Sequence, residues 1–394
     1  SAFPGLVMEK ADPHFMARAL APLPYGVVLV SGTNGKTTTT RMVVELLRGQ
    51  GLKVFTNPTG SNFTRGVVAA LLGAMPLNGR LDADVAVLEL DEAHATHFVR
   101  TVKPRAALLL NVMRDQLDRF GEIDYTASLL HKVARATTGT VVLNADDPRL
   151  AAPSFRADLR ADVRGFAVSP QLRSVFLSDD ELHDSLDGCT LGQPKKDAEA
   201  KADTKAEPTT ETEPAAKPEP AEQPAQPEPA AKPLEIVATL EEMMGRHAVI
   251  DLAGHRHEVD FAIPGAHNIL NATAAMGLVK ELLGERTDEQ ALAASAAKVT
   301  AAFGRGELLS IDGQEVELGL VKNPAGFRMS LLSAAAVRSQ QPPLIMIAIN
   351  DQYADGRDMS WLWDVDFTPL KQAGVSVVTG VRATDMALRL SYDD

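Results

Sequence analysis

Residues 31–40, SGTNGKTTTT, bring two glycines, an amine and a run of hydroxyls into one short stretch. The chemistry such a set performs is the capture of a polyphosphate. Peptide N–H groups from Thr33 through Asn34 and Gly35 to Thr37 can wrap phosphate oxygens, and a helix starting there adds the positive end of its dipole. Lys36 reaches β- and γ-phosphates, Thr37 offers its hydroxyl to Mg2+, and Thr38 follows in the first helical turn. Gly32 and Gly35 let the backbone come close. The first glycine of a general phosphate loop would fall at Val30, so the form here is the shorter G-T-N-G-K-T. An accidental GKT in a threonine-rich turn is the alternative. Context argues against it, because an apolar strand (26–31) precedes the loop and a helical stretch (36–50) follows it.

Other residues with chemistry stand at the ends of further apolar runs. Glu89 closes ADVAVLEL (83–90), where an α/β sheet places a metal-binding carboxylate beside phosphates, with Glu92 close behind. A plain surface carboxylate is the other reading of Glu89. His267, Asn268 and Asn271 are spaced to share one face at a helix start, and Asn268 could equally be a helix cap. Asp351, Asp355 and Asp358 follow the run PLIMIAI (343–349) and are either site residues or capping carboxylates of a polar loop. Asp351 is preferred among them. His94 and His97 have the spacing of a metal pair, but no cysteine or third histidine is near, so no zinc site is expected. Trp361 and Trp363 suit either a protein interface or a core.

These residues need a scaffold of α/β class. The chain has 394 residues, enough for two or three domains. From residue 25 it reads strand, glycine turn, helix and a short strand at 53–56. Apolar runs at 83–90, 105–111 and 138–144 then alternate with helical stretches, the pattern of a mostly parallel, helix-covered sheet. Helices are expected at 266–283 and 287–302. Beyond Gly306 the runs GELLSI, EVELGL, PLIMIAI and VSVVTG point to a smaller Rossmann-like α/β domain. The expected division is a lead-in at 1–24, a central ATP-binding domain at 25–306 and a terminal domain at 307–394. Its last helix begins near Ala383, so that domain is expected to continue past Asp394. The start at Ser1 leaves room for an upstream segment.

Composition narrows the function. Residues 194–233 are almost wholly Ala, Pro, Glu, Lys and Thr and are expected to be a disordered insertion. The net charge of -13 opposes nonspecific binding to nucleic acid. A single cysteine, Cys189, excludes an internal disulfide framework and a cysteine-only metal site within one chain. With no long apolar run and no secretory pattern, the expected place is the cytoplasm.

The loop GTNGKTT resembles that of the Mur ligases and folylpolyglutamate synthases. Further matches keep the family's order: NVMRDQLDRFG (111–121), NADDP (144–148), IPGAHNILNATAA (263–275) and FGRGE (303–307). The resemblance implies a Mur ligase-type central domain that activates a carboxylate with ATP and Mg2+. It assigns metal contacts to Thr37, Glu89 and Asp115, and nucleotide contacts to Asn144, Asp147, His267, Asn268, Asn271 and Arg305. A plain Asx turn is the alternative for Asn144 and Asp147. Gln116 stands where the family usually has a second-metal histidine, so that site is altered, with Asn111, Asp115 and Asp118 remaining.

The terminal segments LVKNPAGF (320–327), AINDQYADGRDMSWLWD (348–364) and VTGVRATDMALRL (378–390) are similar to the MurT family, synthetase subunits that amidate D-glutamate in lipid II. That resemblance implies phosphorylation of the α-carboxylate, attack by ammonia to give D-isoglutamine, and a GatD-type glutaminase partner that supplies the ammonia. It also implies lipid II as substrate at the inner membrane face, and a terminal-domain aspartate that completes the partner's catalytic set. The four-cysteine zinc ribbon frequent in that family has no counterpart here, so no zinc is carried over. An amino-acid-adding ligase and a non-catalytic ATP-binding scaffold are the rival readings.

Overall fold

The computed structural model describes residues 3–58, 63–76, 79–114, 123–178, 181, 233–300, 305–335, 344–351, 359–371 and 373–392. Strand β1 (Val27–Ser31) is buried along its whole length, as is β3 (Val85–Glu89). Each is an unbroken apolar run because both of its faces are covered. Val28 and Val30 enter one core, while Val27 and Leu29 enter the other on the opposite face. This division follows from the two-residue period of a strand.

Among the described residues, nine strands make one sheet in the order β2-β3-β1-β4-β5-β6-β7-β8-β9. The remaining strands of the sheet are β2 (Val54–Thr56), β4 (Ala106–Leu109), β5 (Thr140–Asn144), β6 (Asp162–Val168), β7 (Glu235–Met244), β8 (His247–Leu252) and β9 (His255–Asp260). The sheet is parallel from β2 through β7 and ends in an antiparallel meander, β7-β8-β9. The sequence over this meander carries no expectation of strands, and the structure supplies them. Its reversals lie at Gly245 and at the Ala253–Gly254 pair, all with positive φ. After β1 the chain moves outward to β2 and back to β3, and then crosses to the other side of β1 for β4. The carboxyl ends of β1 and β4 therefore flank a topological switch point, where open α/β sheets form their binding crevice.

Helices cover both faces. The helices α1 (Phe3–Ala11), α2 (Phe15–Leu20), α4 (Thr64–Ala74), α5 (Glu92–Thr101) and α6 (Ile123–Ala136) close one core around Leu20, Phe98 and Leu130. On the opposite face lie α3 (Lys36–Gly49), α9 (Ala266–Leu283) and α10 (Glu289–Lys298), around Met42, Leu46 and Met276. Short helices α7 (Pro148–Ala151) and α8 (Pro153–Arg156) follow β5. Helix α9 has the span expected of it. Helix α10 is shorter than expected at both ends, because the Asp288 side chain caps its start by accepting from Ala291 N, and the chain extends at Val299.

The terminal part holds an antiparallel hairpin, β10 (Arg305–Ile311) with β11 (Gln314–Gly319), turning at Asp312–Gly313. Helix α11 (Pro324–Ala335), the parallel pair β12 (Met346–Ala348) and β13 (Val377–Thr379), and helix α12 (Ala383–Leu390) follow. A third core gathers Phe327, Leu331, Ile347, Trp361, Phe367 and Met386. Trp361 is thus a core residue, whereas Trp363 is 48% exposed and lies edge-on to Tyr392. Most of the 194–233 insertion lies outside the described residues. Among the described residues, no helix is long and apolar enough to cross a membrane.

Candidate functional site

The phosphate loop joins the carboxyl end of β1 to the start of α3. Gly35 is the N-cap of α3 with φ of +85°, and a Cβ placed there would sit 2.8 Å from Asn271 Nδ2. Left-handed backbone and close approach by α9 together demand glycine. Asn34 is held by the side chain of Asn111, at the end of β4: Asn34 N donates to Asn111 Oδ1 (2.8 Å), and Asn111 Nδ2 donates to Asn34 O (3.2 Å). Thr33 N donates to Asn111 O, and the Thr33 hydroxyl exchanges hydrogen bonds with the Met113 main chain. Asn111, expected beside a second metal, is therefore a brace for the loop.

Lys36 Nζ donates to Gly32 O (2.6 Å), Thr33 O (3.2 Å) and Glu92 Oε1 (2.9 Å). The Lys36–Glu92 pair is nearly dry, with the Glu92 side chain only 4% exposed. Burial raises the Glu92 carboxyl to about 7, the Lys36 charge opposes that rise, and neighbouring Asp91 adds to it. Asp91 works against its own burial and is held below its usual value by the Glu92 hydrogen bond and the Lys36 charge. Thr37 Oγ1 donates to Glu89 Oε1 at 2.8 Å. Glu89 is itself fixed at its main chain by Asn57, which accepts from Glu89 N and donates to Glu89 O, each at 3.0 Å.

Lys36, Thr37, Glu89 and Asp91 open onto one cavity of about 1140 Å³. That exceeds the roughly 300–1,000 Å³ usual for a small-ligand pocket. Thr33 to Thr38 and Glu89 line one part of it, with Asn144, Asp147, His267, Asn268 and Asn271 nearby. Asn268 is 1% exposed; its Nδ2 donates to Pro264 O (2.6 Å), and its Oδ1 is buried and accepts no hydrogen bond among the described residues. Asp147 spends both carboxylate oxygens on main-chain N–H groups, Oδ1 on Arg149 and Leu150 as the cap of α7 and Oδ2 on Val112. Asn144 Oδ1 accepts from Asp146 N. Both line the cavity while serving as turn and cap residues.

Not every expected residue joins this group. Asp115, Asp355 and Asp358 lie outside the described residues, as do Gln116, Asp118 and Cys189. Arg305 opens β10, where it pairs with Gly319. Asp351 follows β12 and accepts from Arg382 Nη1 at 3.4 Å, but it does not line the cavity. His94 rests against the ring of Phe63. Asp91, Lys322 and Asn323 were not picked out from the sequence as functional. The Asn323–Pro324 pair before an apolar stretch is a helix-start signal that could have marked the last of these. Nothing local marks the others.

A phosphate loop at the switch point of a parallel sheet, faced by a helix carrying His267, Asn268 and Asn271 and by a smaller α/β unit, defines a nucleotide-binding protein of the Mur ligase fold. Among solved structures, the chain aligns with MurF ligase from Thermotoga maritima in complex with ADP at TM-score 0.59 and 15% identity, covering 96% of this chain and 75% of that one. It aligns with MurF from Acinetobacter baumannii at TM-score 0.64 and 15% identity, covering 98% and 69%. At such identities the likeness is one of fold. Residues 30–192 match the family model of the Mur ligase middle domain, and residues 320–394 match that of the MurT ligase C-terminal region. Lipid II isoglutaminyl synthase (glutamine-hydrolyzing) subunit MurT from Streptococcus pneumoniae is 29% identical over 412 residues, spanning 99% of this chain and 81% of that protein. The corresponding subunit from Staphylococcus aureus (strain COL) is 27% identical, spanning 98% and 82%. Along nearly its whole length the chain is similar to MurT subunits, and its two matched segments are those of the Mur ligase middle domain and the MurT ligase C-terminal.

Proposed function

We propose that this chain is the ATP-dependent synthetase subunit that amidates the α-carboxylate of D-glutamate in the lipid II stem peptide, giving D-isoglutamine. The observation that carries the reading is the single cavity in which the loop's Lys36 and Glu89 meet Lys322, Gly326 and Phe327 of the MurT-type segment. A carboxylate oxygen of the substrate takes the γ-phosphoryl group of ATP, releasing ADP and leaving an acyl phosphate. Ammonia then attacks the carbonyl carbon, the C–O bond to phosphate breaks, and the nitrogen sheds a proton. Loop N–H groups and Lys36 bind the triphosphate and hold it against the charge that develops in transfer. Asn268 offers a buried acceptor to a base N–H.

The donor set fits Mg2+. Thr37 Oγ1 and Glu89 Oε1 are adjacent hard oxygens at the cavity, and Mg2+ is usually held by one or two carboxylates plus substrate phosphates. When bound, the ion supplies charge neutralisation across the phosphates. Thr37 and Glu89, with Asp115, are the residues proposed to hold it. The central ATP-binding domain is proposed to end near Gly306 and the MurT-type domain to follow from residue 307.

Neutral ammonia is scarce near neutral pH, so a GatD-type glutaminase is the proposed partner. One aspartate among Asp351, Asp355 and Asp358, with Asp351 preferred, is proposed to complete its active site, and work on a lipid-linked substrate would place the complex at the inner membrane face. The test is to combine this chain with such a glutaminase, ATP, glutamine and lipid II and to weigh the product. Replacement of one carboxylate OH by NH2, dependent on Lys36, is expected. Extension of a precursor by an amino acid without glutamine would instead identify an amino-acid-adding ligase.

A further inference from the structure

Asn34 lies between two side-chain amides, and both of its sides are committed. Its main chain exchanges two hydrogen bonds with the Asn111 side chain. Its side chain exchanges two more with Asn323: Asn34 Nδ2 donates to Asn323 Oδ1 (3.3 Å), and Asn323 Nδ2 donates to Asn34 Oδ1 (3.1 Å). Asn323 is 1% exposed and stands just before α11, where its Oδ1 also accepts from Gly326 N at 2.9 Å. That cap fixes the polarity of the pair. With Oδ1 required as acceptor for Gly326, Nδ2 must face Asn34 Oδ1, and a flipped amide would set donor against donor. One turn into α11, Arg328 Nη1 donates to Val175 O (3.2 Å), a second tether from this helix to the segment after β6.

We infer that Asn323 is a positioning residue which, through Asn34, locks the start of α11 and the adjoining Lys322 against the phosphate loop, so that nucleotide binding and the seating of the terminal unit are coupled. This rests on the loop binding ATP as proposed above. The Asn34 N–H is a loop donor that Asn111 Oδ1 holds in place. The same residue carries the amide that grips Asn323, so a loop ordered around a triphosphate is ordered at Asn323 as well. Lys322, Gly326 and Phe327 line the cavity that holds Lys36, so any shift of the α11 start is felt where the phosphates lie.

A helix cap alone would not need Asn34, and this separates the two roles. Asn323→Ser keeps an acceptor for Gly326 N but is too short to exchange two bonds with Asn34. Calorimetric titration of the full chain with adenylyl imidodiphosphate and Mg2+ is expected to show affinity reduced about 5–30-fold in Asn323→Ser, from the loss of two neutral hydrogen bonds. Hydrogen exchange across 325–331 is expected to slow on nucleotide addition in the unmodified chain and not in the variant. Asn34→Ala should add little in the Asn323→Ser background, because the two residues share one interaction. Unchanged affinity and nucleotide-dependent protection in Asn323→Ser, or fully additive effects, would overturn the coupling and leave the ATP reading intact. Failure of the unmodified chain to bind the nucleotide at all would overturn that reading and the inference with it.

Discussion

Gly35→Ala separates two costs that the structure superimposes on one atom. At φ of +85° an alanine sits in left-handed backbone, which costs about 1–2 kcal/mol. Its Cβ would also lie 2.8 Å from Asn271 Nδ2 and 3.0 Å from Asn271 Oδ1. Asn271 is buried on α9 and has little room to withdraw, so overpacking of about 1–2 kcal/mol is expected on top. Together the two terms come to about 3 kcal/mol, or on the order of 100-fold in affinity for ATP if they fall on the binding-competent loop. The assay is calorimetric ATP titration of four proteins: the unmodified chain, Gly35→Ala, Asn271→Ala and the double variant. With Asn271 shortened the crowding vanishes and only backbone strain remains, so Gly35→Ala should cost about 10-fold in that background. Equal penalties in the two backgrounds would refute the claim that α9 presses on the loop.

Three further expectations concern neighbouring atoms. Glu92→Gln removes a carboxyl that burial raises to about 7, from an ordinary 4.5. The native group favours the fold most below pH 4.5, and that contribution is lost as pH rises through about 7, so chemical denaturation of Glu92→Gln should show a flatter pH dependence across this window. The same variant frees Lys36 from its ion pair. Nucleotide affinity of the native chain should therefore rise as pH falls through about 7 relative to Glu92→Gln, the ligand's own titration being common to both. Thr37→Val deletes the hydroxyl that donates to Glu89 Oε1, and ATP turnover should fall on the order of 10–100-fold with little change in metal-free nucleotide binding. Gly380→Ala would drive a Cβ into the Ile349 main chain at φ of +93°. Loosened protection of β12 and β13 in hydrogen exchange, with the large parallel sheet unaffected, is the expected signature.

The parallel sheet was legible because its strands are buried on both faces, and the apolar runs at 83–90, 105–111 and 138–144 each hold a strand a little shorter than the run. Trimming at strand ends is the normal error, since the last residues of a run can turn into a loop that carries a side chain such as Asn111. The meander from Glu235 to Asp260 was not legible. Its outer strand β9 is mostly exposed, reads as polar sequence and pairs only with β8 among the described residues, while the meander joins the sheet through β7, which pairs with β6 across a long insertion.

In the site, the phosphate loop is legible from residues 31–40 alone. Two glycines, a lysine and two threonines fall within ten residues between a strand and a helix, and the structure sets them at the end of β1 and the start of α3. The sequence also points to Glu89, a carboxylate ending a buried strand, and the structure sets that side chain on Thr37 at the cavity. What surrounds the loop is set by contacts between distant parts of the chain. Glu92 lies 56 residues from Lys36 along the chain, and Asn323 lies 289 from Asn34. Neither has a local signature, because ion pairing and amide pairing depend on distance in space and burial, which spacing along the chain does not encode. The same holds for Asn111 and Asp147, whose side chains proved to brace main chain. A carboxamide or carboxylate can serve a ligand or a backbone N–H equally well, and its neighbours in the fold settle which.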